Sequence, residues 1–344
     1  MRSLLRKMAI IYFFLMIVLL MVTPIAYFLF SFGIAVAIAV VTGLLLILNK
    51  QVRKTNWYKN SIPDMDNYPN NDWYRRHLER NFDIVNIGSS SSKYAFNYAD
   101  CPVKAFNWAE QPQSLTNGFK ILKNYFSILK KGGKVVIALG PFSGLNVDGK
   151  WNKTVNDKYY YILDSTLVDN YRQVFWRRRF PLLFLPIHSL KRLIKDIPVK
   201  TFNNKGCKCA DFEEDAESWI ENWKVEFGIN DLDAPLSLDN KKGQKYRIRL
   251  LQQIIDFCLE RNLQPVLVIP PMHPALAIRF SEAFWENYIL YFIKQANYKQ
   301  ISFYNYMNDK RFHDDKYFYN AFLMNEEGAR IFTSIFLKQL LTER

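Results

Sequence analysis

Between Met8 and Asn49 lie 42 consecutive residues without one charged side chain, dominated by Ile, Leu, Val, Phe, Met and Ala. As a single helix rising about 1.5 Å per residue, the run would reach roughly 63 Å, about twice the ~30 Å hydrocarbon thickness of a bilayer. A buried core helix of that length would need a far larger protein around it. A secretory signal peptide carries an apolar region of only about 7–15 residues, so that reading fails on length. Residues 1–50 are therefore expected to be a transmembrane segment of one or two helices, broken near Pro24 or around Ser31-Phe32-Gly33. Arg2, Arg6 and Lys7 precede the run, and Lys50, Arg53 and Lys54 follow it. Both clusters obey the positive-inside rule only in a hairpin with cytoplasmic ends, which leaves the rest of the chain inside the cell.

After residue 50 the pattern changes to short apolar runs alternating with amphipathic ones. Residues 51–80 read as a polar and aromatic linker with a short helix at Trp73–Glu79. Asp83–Gly88 (DIVNIG), Ala105–Trp108, Lys134–Leu139 (KVVIAL), Pro265–Ile269 and Ile301–Tyr304 read as strands. Ser114–Leu129, Tyr246–Arg261, Ser281–Ala296 and Glu327–Leu341 carry apolar residues at helical spacing. This alternation predicts an α/β domain over residues 81–344, with a parallel sheet covered by helices on both faces. In such sheets ligands bind beyond the carboxyl ends of the strands. Gly88-Ser-Ser, Gly140-Pro-Phe, Pro270-Pro-Met-His and the segment after Tyr304 are all expected there.

The stretch 145–240 breaks the alternation and reads as a basic, partly helical insertion. Its segment FWRRRFPLLFLPIHSLKRLIK (175–195) is either a membrane-surface binder or a packed insertion with a solvated basic face. The acidic stretch Asp211–Glu226 is expected to lie against it. Of the net charge of +14, the first 50 residues contribute four basic and no acidic side chains, leaving +10 on the remainder. No helix-turn-helix, zinc-finger or RNA-binding signature accompanies that charge, so nucleic acid is not an expected partner. The lipid bilayer and an anionic cell-surface polymer are. Of the four cysteines, Cys207-Lys-Cys209 is too tightly spaced for the usual zinc site, and Cys258 falls on a helix face as packing. No metal or cofactor is expected.

A serine at the end of a buried strand exposes a hydroxyl, and DIVNIGSSSSKYAFNY (83–98) offers four. Acyl transfer through serine also needs a base within hydrogen-bond reach and donors for the oxyanion. The order of Asn86-Ile-Gly88-Ser89-Ser90, Phe106-Asn107-Trp108, Gln113-Ser114-Leu115, Pro265-Val-Leu-Val-Ile-Pro270 and Phe318–Thr333 resembles the SGNH (GDSL-like) hydrolase superfamily. The likeness is to its membrane-anchored bacterial branch, which includes the D-alanine-transfer proteins of teichoic acid operons and polysaccharide O-acyl-modifying relatives. It covers about residues 80–340. The resemblance implies a three-layer αβα fold with a flavodoxin-like parallel sheet, and a domain outside the cytoplasm where surface polymers are modified. A membrane acyltransferase is an implied partner.

The same resemblance makes Ser90 the nucleophile, Ser89 the replacement for the acidic residue of the commoner Gly-Asp-Ser form, and Gly88, Asn107 and Asn325 oxyanion or site-lining residues. The closing motif, Asp-x-x-His-Leu-Asn-x-x-Gly in the superfamily, reads here Asn320-Ala-Phe-Leu323-Met324-Asn325-Glu-Glu-Gly328. Asn320 thus stands in place of Asp and Leu323 in place of His, and a leucine takes no proton. Among the other histidines, His273 at a strand end is a candidate substitute base, with His313 beside Asp314-Asp315 behind it. Three functions remain open: a pseudoenzyme linked to envelope-polysaccharide or acyl-group modification, an active esterase or acyltransferase using Ser90 with a non-standard base, or a non-catalytic membrane-surface protein.

Overall fold

The computed structural model describes residues 2–22, 25–59, 80–145, 155–196 and 206–342. The expected helix at Trp73–Glu79 and most of the 51–80 linker lie outside them. In chain order the main elements are α1 (Arg2–Val22), α2 (Ile25–Val52), β1 (Phe82–Ile87), α3 (Ser90–Ala95), β2 (Ala105–Asn107), α4 (Leu115–Tyr125) and β3 (Leu129–Ala138). These are followed by α5 (Tyr171–Arg179), α6 (Pro181–Phe184), α7 (Pro186–Ile194), α8 (Phe212–Phe227), α9 (Leu238–Glu260), β4 (Gln264–Ile269), β5 (Phe303–Asn305) and α10 (Glu326–Thr342). The chain divides into two compact units, Met1–Ser61 with Arg172–Val199, and Ile62–Tyr171 with Lys200–Arg344.

The first unit holds the apolar run. α1 ends at Val22 and α2 starts at Ile25, with the expected break at Pro24 outside the described residues, while Ser31-Phe32-Gly33 passes through the interior of α2 without a break. Among the described residues, one stretch, Phe30–Val52, is long and apolar enough to cross a membrane, and its most apolar window is unburied by protein. Its 23 residues span about 35 Å at 1.5 Å each. At its far end Asn49 turns inward: its Nδ2 donates to the Arg179 carbonyl at 2.9 Å, and its Oδ1 accepts the Leu182 N–H at 3.2 Å. The Tyr58 hydroxyl donates to the Arg178 carbonyl at 2.8 Å, with the Arg178 guanidinium 4.7 Å from the Tyr58 ring centre. The insertion is therefore not one body. Its middle, residues 172–199 with α5, α6 and α7, joins the apolar helices, and its two ends join the sheet unit. On α8, Glu213 and Glu217 bond Arg279 within their own unit.

The second unit is built on a five-stranded, all-parallel sheet in the order β2-β1-β3-β4-β5. Its central strands are continuous apolar runs because both faces are covered: Val135, Val136, Ile137, Leu267, Val268 and Ile269 have no exposure. Helices start where side chains cap them. Ser114 accepts the Asn117 N–H for α4, Asp211 accepts the amides of Glu213 and Glu214 for α8, and Ser237 accepts the Asn240 N–H for α9. The last of these begins eight residues before the expected Tyr246. In the other direction β3 begins at Leu129, not Lys134: Leu129 already pairs with Phe82, and the irregular Gly132-Gly133 turn is taken up inside the strand. A π-helical turn at Trp285–Leu290 interrupts the expected helix Ser281–Ala296. The closing helix α10 docks Phe332 and Phe336, both fully buried, against Phe96 at ring separations of 5.3 and 5.6 Å.

Candidate functional site

The strand order reverses direction between β1 and β3, and open parallel sheets bind ligands at that switch point. A crevice of about 410 Å³ lies there, within the roughly 300–1,000 Å³ usual for small-molecule sites. The turn after β1 (Gly88, Ser89, Ser90, Ser91) and the turn after β3 (Gly140-Pro-Phe-Ser143) form one wall.

The serine turn is held by amides. Asn86 Nδ2 donates to Ser92 Oγ at 2.9 Å and to Asn107 Oδ1 at 2.7 Å. Asn107 Nδ2 in turn donates to the carbonyls of Lys93 and Phe96, both at 3.1 Å, and its Oδ1 accepts the Ala109 N–H. Gln113 closes the other side: its backbone N–H donates to Ser89 Oγ at 3.2 Å and its Nε2 donates to the Gly88 carbonyl at 3.0 Å. Gly88 is obligatory here, since a Cβ would lie 2.5 Å from Ser92 Cβ and 3.1 Å from Ala138 Cβ. Ser92 is thus spent on Asn86 and Ser89 on Gln113. Ser90 lines the crevice half-buried, and its hydroxyl bonds none of the described residues.

Beneath the loop, Glu110 is buried with Lys158 Nζ 3.5 Å away and Lys93 Nζ 3.7 Å away. Lys158 also donates to the Pro112 carbonyl at 2.6 Å. Burial lowers its ammonium to about 8, and the attraction of Glu110 only partly offsets that. Tyr159, donating to Gln113 Oε1 at 3.1 Å, has its hydroxyl pushed well up by burial.

The opposite wall is aromatic. Trp219 and Trp223 lie one turn apart on α8 with ring centres 5.3 Å apart, and Phe322 is 4.9 Å from each. Phe142 stacks on Phe227 at 4.8 Å. Glu226 and Arg247 are the ionisable residues of the lining among those described.

The remaining residues expected from the sequence are elsewhere. Asn325 caps α10, its Oδ1 accepting the Gly328 N–H at 2.9 Å while its Nδ2 donates to the Lys316 and Phe318 carbonyls. Gly328 keeps that register because a Cβ there would meet the Tyr317 carbonyl oxygen at 2.1 Å. Leu323 is 2 % exposed, and Asn320 Oδ1 accepts the N–H groups of Phe322 and Leu323 at 3.0 and 2.8 Å. Neither side chain lines the crevice; Phe322 between them does. His273 does not line it either. Its Nδ1 accepts the Ala275 N–H at 3.2 Å, and its Nε2 meets Asp315 Oδ1 at 2.9 Å. That pattern assigns the proton to Nε2 and leaves a neutral imidazole no lone pair for a serine. Its ring stacks on Phe212 at 3.9 Å. His313 is exposed and bonded to Asn308 Oδ1 at 2.9 Å. Among the described residues no group of three His, Cys, Asp or Glu side chains is placed to hold a metal.

Sequence patterning passed over Trp219, Trp223 and Arg247, and quoted Gln113 without a role in the site. The i, i+4 spacing of the two tryptophans was the one available signal, and it sits in a stretch read as insertion. No protein-family model matches the chain, and no curated protein is significantly similar to it in sequence.

Proposed function

We propose that the chain is a membrane-anchored, SGNH-hydrolase-like protein that binds a saccharide of a cell-envelope polymer, or of its lipid-linked precursor, without ester chemistry. The observation that carries this reading is the pairing of an unengaged Ser90 hydroxyl with the loss of its base: Leu323 is buried and Asn320 is spent on the turn beside it. A serine without a base is a poor nucleophile near neutral pH, and removing a triad member costs several orders of magnitude in rate. The parallel sheet order supports the superfamily assignment, as does a serine turn at the switch point.

The crevice suits a sugar ring. Its half-buried Trp219 and Phe322 offer flat apolar faces to ring C–H groups, while the Ser90 hydroxyl is placed to bond a sugar hydroxyl. The α/β unit itself carries a net charge near zero, so an uncharged glycan fits better than an anionic polymer.

The test uses the full chain in detergent. It should give no labelling by a fluorophosphonate and no p-nitrophenyl acetate turnover above background. Chitohexaose or maltohexaose should quench tryptophan emission saturably, and the quench should be lost in Trp219→Ala. Labelling that disappears in Ser90→Ala would overturn the pseudoenzyme reading; no response to either sugar would overturn the glycan reading.

A further inference from the structure

The segment from α6 to α7 presents an exposed apolar surface among the described residues. Ile187, Leu190 and Ile194 recur at three and four residues on α7, so they share one face. They are 66 %, 46 % and 88 % exposed, and Leu183 just before them is 72 % exposed. Scattered apolar residues on a surface need no explanation, but a contiguous stripe does. Lys191, Lys195, His188 and Arg192 follow one margin of the stripe in helical projection. The other margin turns inward, with buried Ser189 donating to the Pro181 carbonyl at 2.9 Å.

Two further observations name what covers it. The segment is fastened to the end of the apolar helix α2 by both polar atoms of Asn49, so the stripe begins where the membrane helix ends. Charge is also segregated: Met1–Ser61 with Arg172–Val199 contains fourteen basic side chains and one acidic, Asp196, which is +13 of the whole chain's +14. Aliphatic side chains flanked by cations, at the depth where a spanning helix exits, match the headgroup–acyl boundary of an anionic leaflet. We infer that residues 175–195 lie in that boundary as a second, interfacial attachment to an anionic bilayer, separate in sequence from the spanning helix.

The full chain, with Cys101, Cys207 and Cys209 replaced by Ser, carries a nitrobenzoxadiazole label on Leu190→Cys, Ile194→Cys or, as a control on the α/β unit, Lys241→Cys. It is placed in nanodiscs of phosphatidylcholine alone or with phosphatidylglycerol. Labels at 190 and 194 should emit blue-shifted, be quenched at least about twofold more by a nitroxide lipid than the control, and resist aqueous iodide, most of all with phosphatidylglycerol. Replacing Lys191, Arg192 and Lys195 together with Gln should erase the phosphatidylglycerol dependence, since each basic residue near an anionic surface shifts partitioning roughly fivefold. Iodide quenching equal to the control would overturn the proposal in favour of a solvated insertion. Protection from both quenchers would overturn it in favour of a protein partner, and an unchanged lipid dependence in the triple variant would remove its electrostatic basis.

Discussion

The carboxamide oxygen of Asn320 accepts the backbone N–H of Leu323 at 2.8 Å. Under the proposed SGNH-like reading these two positions correspond to an Asp and a His, and here one folds the turn that buries the other. Asn320 therefore acts as a cap, and capping needs an acceptor rather than a charge. Asn320→Asp is expected to melt within a few tenths of a kcal/mol of the parent, and Asn320→Ala about 1 kcal/mol lower. Neither should change fluorophosphonate labelling. Thermal unfolding in detergent checks the first statement; labelling that rises in Asn320→Asp would contradict the second.

Gly88→Ala tests the tight approach under the serine turn. A Cβ 2.5 Å from Ser92 Cβ must push α3 away from β1. The expected cost is about 1–3 kcal/mol, as for overpacking elsewhere. Sugar binding should weaken with it, because Ser89 and Ser90 ride on the same turn. A parent-like urea midpoint would show that the turn yields freely.

Lys158 makes stability depend on pH. Its ordinary value of 10.5 falls to about 8 in the folded chain. Below pH 8 the lysine is charged in both states and the cost of burying that charge is carried in full. As pH rises towards 10.5 the folded form sheds its proton first, so stability increases across that window, by on the order of 2–3 kcal/mol. Lys158→Arg keeps its charge throughout and should flatten the rise between pH 7.5 and 9.5. Parallel pH profiles for parent and variant would show that another group is responsible.

The charge distribution predicts an orientation. Lys50 lies in the last turn of α2, Arg53, Lys54 and Lys59 follow it, and Arg177, Arg178, Arg179, Lys191, Arg192 and Lys195 belong to the same unit. Three basic residues at the N-terminus do not outweigh that excess, so the positive-inside rule predicts a cytoplasmic side after α2. A fluorescent-protein fusion after Arg344 should be bright, and an alkaline-phosphatase fusion at the same site inactive. The opposite pair of results would place the α/β unit outside.

The central strands were readable because burial on both faces leaves only apolar residues, as in KVVIAL and PVLVI. The first two turns of α9 were not, because Asp239-Asn-Lys-Lys-Gly carries no apolar period; its start is set by the Ser237 cap. Ser90 was found through a local pattern of strand, glycine and serines. Its facing wall was not, since Trp219 and Trp223 reach the crevice from a helix about 130 residues further along the chain. His273 shows the limit most clearly. Its place after β4 was read correctly, yet ring chemistry depends on Ala275 and Asp315, and no spacing rule announces either bond.

The anchor unit closes only when residues 172–199 reach Asn49, and the sheet closes only when β4 and β5 arrive later still. Domains usually complete themselves in turn as a chain leaves the ribosome. Here neither unit can finish before the other has begun. Three strands emerge and wait while the chain returns to the membrane helix, and the last two then join them. Assembly of the apolar-helix unit and assembly of the sheet are interlaced steps of one process, and a truncation anywhere before β5 leaves the sheet incomplete.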